Sequence, residues 1–192
     1  MTCREYYMDF SSPFGTFHVV WDPENDIYPV RRIYLSSPEE TSLDRLKRNG
    51  PEISFLASSP IRDIGRQITA FLEGDPVSFA EVPLDFSLCS PFQSAVLKIE
   101  RQVPPGQIIT YSRLASLAGK NGAARAAGHA LAHNPFPLLI PCHRAVRSDG
   151  TPGGYQGGSA MKKRLLEREG IRLTSSGKIA SEFFLTLNNG TH

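Results

Sequence analysis

Residues 111–133 read YSRLASLAGKNGAARAAGHALAH, and the way this stretch folds decides the architecture of the chain. Tyr111 to Ala118 predicts a short helix with Leu114 and Leu117 inward, stopped at Gly119. After the turn Lys120-Asn121-Gly122, a second helix is expected from about Ala123 to Ala132, halting before Asn134-Pro135. Two short helices joined by a glycine-containing turn have the form of a helix-turn-helix. The second helix has almost no side-chain bulk: Ala123, Ala124, Ala126, Ala127, Gly128, Ala130 and Ala132. Small residues allow a helix backbone to approach either a narrow groove or another helix, so both readings stand. Arg125, His129 and His133 lie four residues apart on one stripe, which argues that one face is exposed.

Working outward, Ser90-Pro91-Phe92-Gln93 opens a helix with an N-cap serine, a proline in the first turn and a glutamine three residues after the cap. Phe92, Val96, Ile99 and Val103 mark its apolar face, and Pro104-Pro105-Gly106 ends it. Residues 76–89 read as a linker or extended crossover. Before them, residues 61–72 place Ile61, Ile64, Ile68 and Phe71 or Leu72 at helical spacing, with Gly74 just beyond. Phe17–Trp21 and Val30–Leu35 have strand character, with turns at Ser12–Gly15 and Asp22–Asn25. The fold class is therefore α+β. A small α+β domain with a short antiparallel sheet (residues 1–80) and a linker (81–89) precede a helical domain (90–175) and a C-terminal tail (176–192). In the tail, alternating Phe183, Leu185 and Leu187 predict a short strand or docking segment.

The net charge of +2 hides an asymmetry. Residues 1–89 carry 8 basic and 14 acidic side chains, whereas residues 90–175 carry 12 basic and 4 acidic. A basic half beside an acidic half points to a polyanionic partner for the former, against the plainer reading of a solvated face. With 40% hydrophobic residues the chain can bury a core, yet no stretch is apolar enough to span a bilayer. The start MTCREYYMDF lacks the apolar run of a secretory signal, and cysteines 3, 89 and 142 are an odd set. An intracellular protein, cytoplasmic or nuclear, with free thiols is expected. Asn189-Gly190-Thr191 is then a chance glycosylation sequon.

Cys142 follows the apolar, strand-like run Leu138-Leu139-Ile140 and precedes His143. A free cysteine there is most often inert core. Adjacent side chains of an extended segment point apart, so a Cys142–His143 contact requires a turn or a water. Asn134-Pro135 and Pro137 make the approach rigid. Glu169 ends the helix expected from about Ser159 to Arg168, where an acid opposes the helix dipole unless something compensates. A histidine that needs orienting would do so. His129 and His133 have the spacing of two zinc ligands on one helix, but no Cys-x-x-Cys or acidic cluster completes a set.

NPFPLLIPCHRAV (residues 134–146), GGYQGG (153–158) and MKKRLLEREGIRL (161–173), together with ITYSRLA (109–115) and GAARAAGHAL (122–131), resemble the O6-alkylguanine-DNA alkyltransferases. SSPFGTFHVVW (residues 11–21) is similar to the family's looser N-terminal opening. The resemblance implies a ribonuclease H-like N-terminal domain, a winged-helix/helix-turn-helix domain, and a monomer that enters the minor groove of double-stranded DNA without a cofactor or metal. It also implies suicide repair, with Cys142 accepting the alkyl group of O6-alkylguanine, and of O4-alkylthymine, once per molecule. His143 would take the thiol proton through a bound water, Glu169 would orient His143, and Asn134 would brace the turn. Tyr111 would rotate the phosphate or protonate the departing base. Arg125 would fill the gap left by the extruded nucleotide, on a DNA face that includes Ala124, Ala126, Gly128 and His129. Tyr155, Gln156, Ala145 and Lys162 would shape the pocket. Ala145 stands where valine is common, Gln156 where serine is frequent, and His129 where the residue is usually small. The competing function is a non-catalytic lesion binder, of the kind that carries tryptophan at the cysteine position. A zinc-dependent transcription factor is a third.

Overall fold

The computed structural model describes residues 5–23, 28–50 and 53–185. Cys3, half of the turn expected at 22–25, Leu187 and the sequon lie outside these. Strands β1 (Tyr6–Phe10), β2 (Phe17–Trp21), β3 (Val30–Leu35) and β4 (Ser54–Phe55) form a sheet in the order β3-β2-β1-β4. The first three pair antiparallel, and β4 adds to β1 in parallel. Helix α1 (Ser42–Asn49) follows β3, and α2 (Ser59–Glu73) packs on β1 and β2. Ile61, Ile64, Ile68 and Leu72 are the buried stripe of α2, so its last core position is taken by Leu72, while Phe71 is only partly buried.

The second half holds α3 (Pro91–Glu100), β5 (Ile109–Thr110), α4 (Tyr111–Leu117), α5 (Ala124–Ala132), β6 (Ala145–Val146) and α6 (Ser159–Arg168). Ser90 caps α3 by accepting from the Gln93 backbone, as its sequence requires. Gln93 does not reach back to the cap. Its Nε2 donates instead to the Ala130 and His133 carbonyls, satisfying acceptors at the end of α5. Helix α3 stops at Glu100, ahead of Val103, which is buried from the following loop. Leu117, expected inward, is 40% exposed because α4 ends there.

Residues 76–89 are pinned rather than loose. Arg101 Nη2 donates to the carbonyls of Phe79, Ala80 and Val82, and Asp85 lies 3.0 Å from Arg31. One hydrophobic core runs from Val19, Trp21 and Ile68 to Leu97, Phe136 and Leu165, joining the two halves. A second, smaller core of Ile108, Val146, Leu166, Ile171 and Ile179 lies beneath the tail. The tail docks there, with a bridge between Phe184 and Ile108.

Glu100 is fully buried, and neither carboxyl oxygen has a hydrogen-bond partner among the described residues. Burial pushes its carboxyl up to about 8, against the pull of Lys162 and Arg144. A folded pKa above the unfolded one leaves stability intact below about pH 4.5 and erodes it as pH rises toward 8. Glu100→Leu is therefore expected to gain about 3 kcal/mol at pH 8 relative to its effect at pH 5, measured by urea unfolding. An effect independent of pH would contradict this reading.

Candidate active site around Cys142

The approach to Cys142 is a turn, not the expected strand. Pro137 and Pro141 bracket Leu138-Leu139, Pro137 bridges Ile140, and Leu138 adopts φ 75°. Asn134 is 2% exposed and holds the turn from inside: its Oδ1 accepts from Phe136 N (2.9 Å) and its Nδ2 donates to Ile140 O (3.3 Å). Cys142, His143 and Arg144 then form a single 3-10 turn. That curl removes the extended geometry that would point the cysteine and histidine side chains apart.

Behind the thiol lies a buried relay. His143 is fully buried, and its Nε2 lies 2.9 Å from Glu169 Oε1. Arg144 grips the same carboxylate, with Nη2 at 2.7 Å from Oε1 and Nε at 2.9 Å from Oε2. Its Nη1 also donates to the Val103 carbonyl. Burial opposes ionisation of Glu169, but the hydrogen bonds from His143 and Arg144 overcome it and pull its carboxyl down to about 2. Burial lowers the His143 pKa against the pull of Glu169, so the imidazole is neutral at pH 7. The His143–Glu169 contact is thus a neutral N–H on a carboxylate, with Arg144 as counterion. His143 Nδ1 then carries the lone pair, and it has no hydrogen-bond partner among the described residues. Arg144 is the relay member that the sequence reading missed. Its signal was the basic residue next to His143, facing an acid at a helix C-terminus.

Burial pushes the Cys142 thiol up to about 11; the Asn134 side chain and Lys162 counteract this, while Glu100 adds to it. Cys142 opens on a cavity of about 390 Å³ lined by Tyr111, Gly128, Leu131, Tyr155 and Gln156, among others. Tyr111 stands between α5 and the 153–154 backbone. Gly153 (φ 73°) brings its Cα so close that a Cβ would lie 2.7 Å from the Tyr111 hydroxyl. Burial and the neighbouring Cys142 push Tyr111 up to about 12, so it stays a hydrogen-bond donor. The Tyr155 hydroxyl is buried without a partner among the described residues. The Gln156 side chain accepts from Leu35 N at 3.3 Å. Ala145 and Lys162 do not line this cavity. Both are fully buried beneath it, where Lys162 Nζ donates to the Ala145 carbonyl at 2.8 Å. A larger cavity of about 530 Å³ on the other side of the turn reaches Glu169 and Arg144 but not Cys142.

Helix α5 packs on neighbouring helices along one face and is exposed along the other. Ala127, Ala130 and Leu131 are buried against α3 and α4, while Arg125, Ala126, His129 and Ala132 are exposed, with Ala124 and Gly128 at the margin. Exposed His129 and His133 stack with ring centroids 4.1 Å apart, and among the described residues no group of three ligand-type side chains could hold a metal. No helix among them is long and apolar enough to cross a membrane.

Residues 91–171 match the family model described as 6-O-methylguanine DNA methyltransferase, DNA binding domain. The chain is 50% identical over 119 residues to the methylated-DNA–protein-cysteine methyltransferase of Methanothermobacter thermautotrophicus, covering 60% of this chain and 66% of that protein. With the mouse protein of that name it shares 44% identity over 182 residues, covering 88% of this chain and 83% of the other. The crystal structure of Mycobacterium tuberculosis OGT in complex with DNA is similar at a TM-score of 0.67 and 27% identity, covering 85% of this chain and 92% of that one. Relatives matched at this identity over most of their length place the chain: it belongs to the methylated-DNA–protein-cysteine methyltransferase family.

Proposed function

We propose that this protein repairs DNA by direct reversal, moving the alkyl group of O6-alkylguanine, and of O4-alkylthymine, onto Cys142. The observation that carries this reading is a thiol on the wall of a base-sized cavity, backed by the buried His143–Glu169–Arg144 relay and flanked by α4 and α5. In the transfer, Sγ attacks the alkyl carbon, the C–S bond forms and the C–O6 bond breaks. The thiol proton passes to His143 Nδ1, through a water where the gap requires one, and on to solvent, while the dealkylated guanine, still in its strand, takes a proton at N1 from water. Tyr111 donates a hydrogen bond to the departing base. No step cleaves the thioether, so each molecule reacts once.

The alkyl carbon is out of reach inside the stack, so the nucleotide must be extruded. Helix α5 serves this step. Its alanines permit close approach to the minor groove, Arg125 fills the vacated stack, and its first turn has no side-chain cap and can meet a phosphate. In this reading residues 1–80 form a ribonuclease H-like domain and 90–175 a winged-helix/helix-turn-helix domain, joined through 81–89. The protein acts as an intracellular monomer, cytoplasmic or nuclear. A non-catalytic lesion binder is the poorer reading, because Cys142 occupies the position at which such binders carry tryptophan. Cys142→Ala tests the assignment: it is expected to abolish transfer of a labelled alkyl group from duplex DNA while DNA binding persists. Binding should also fall steeply between 50 and 200 mM salt, as roughly linear log–log dependence on phosphate contacts requires. A flat salt response, or transfer surviving the substitution, would refute it.

A further inference from the structure

The cavity that opens on Cys142 is not built from the C-terminal half alone. Glu39 and Arg45, from the loop after β3 and from α1, line it opposite Tyr111 and Leu131. This loop is built rather than loose. Ser37 and Glu40 exchange backbone hydrogen bonds of 2.9 and 3.3 Å, and Thr41 caps α1 by accepting from Asp44 N. Arg45 Nη2 donates to Ser37 Oγ at 2.9 Å, and its Nε lies 3.2 Å from Glu40 Oε2. The loop is also held against the pocket wall. Gln156 accepts from Leu35 N, and a Cβ on Gly158 would come within 3.2 Å of Pro38 Cδ. Glu40 pairs with both Arg45 and Arg48, whereas Glu39, on the cavity wall, has no ion pair among the described residues.

We propose that this loop is the outer wall of the lesion pocket and that Glu39 makes it an electrostatic filter, accepting neutral alkyl groups and penalising anionic ones. The proposal rests on the alkyl-transfer reading above and adds the substrate class that the pocket selects. A carboxylate lining a partly enclosed cavity repels a second carboxylate entering it, and salt only partly screens that repulsion. A neutral group of the same size meets no such barrier.

The test uses duplexes carrying one O6-methylguanine, one O6-carboxymethylguanine or one O6-carbamoylmethylguanine, the last a neutral match in size for the second. Single-turnover rates of adduct formation on Cys142 are measured for the full chain and for Glu39→Gln and Glu39→Lys. The unsubstituted protein should transfer carbamoylmethyl about tenfold faster than carboxymethyl, a gap that narrows as salt rises. Glu39→Gln should close most of that gap, and Glu39→Lys should close or reverse it. A ratio that stays within twofold of the starting value in both variants overturns the filter. Failure of the unsubstituted protein to transfer even the methyl group would instead overturn the reading on which the filter rests.

Discussion

His143→Ala is expected to slow alkyl transfer to Cys142 by about a thousandfold, within the range usual for loss of a positioned base. The reason is the thiol itself. Held up to about 11 by burial, on the order of one thiol in ten thousand is ionised at pH 7, far fewer than for an exposed cysteine. Ionisation must therefore accompany attack, and the proposed assistant is His143 Nδ1, which is buried and without a hydrogen-bond partner among the described residues. Glu169→Gln should also slow transfer, because an amide oxygen accepts the Nε2–H more weakly and carries no charge to stabilise the imidazolium that forms. The double variant should be about as slow as His143→Ala alone, since members of one relay do not contribute independently. Strictly additive losses would show Glu169 to be structural only. Because the folded His143 has a lowered pKa, the base remains unprotonated below pH 6.5 and the rate should hold there before falling. Unfolding curves of each variant separate this from instability, as Glu169→Gln leaves Arg144 buried without its counterion.

Arg125→Ala is expected to slow repair in duplex DNA by about a hundredfold while barely changing reaction with free O6-benzylguanine. Extrusion costs a few kcal/mol, and the stacking that offsets it exists only once the nucleotide has left. The free base needs no extrusion and should not sense the loss. Arg125 is exposed on α5 and lines neither cavity, so no packing role competes with this one. Arg125→Lys should restore phosphate attraction but little of the rate, because an ammonium cannot stack as a guanidinium does. Equal losses on duplex and free base would assign Arg125 to the fold or the pocket instead.

Much of this was legible in the sequence because helix and strand periods are local. The serine cap, the proline and the apolar spacing placed α3, and the glycine turn placed α4 and α5. Helix α1 was not foreseen: it buries little beyond Ser42 and Leu46, so its apolar signal is faint, although Thr41, Asp44 and Gly50 marked its ends. The run before Cys142 was misread as a strand because three apolar residues look alike in a strand and in a turn. The bracketing prolines carried the answer. Longer-range features were out of reach. The Arg144–Glu169 pair spans 25 positions, and the Leu35–Gln156 contact that brings Glu39 to the pocket spans 121. Such pairings depend on how the two halves pack.

The central claim is a single irreversible transfer to one thiol, and intact mass measures it directly. After mixing with excess duplex DNA carrying O6-methylguanine, the protein should gain the mass of one CH2 and no more. Peptide mapping should place it on Cys142, with one guanine restored in the duplex per protein molecule. Modification at Cys3 or Cys89, or more than one lesion repaired per molecule, would contradict the account.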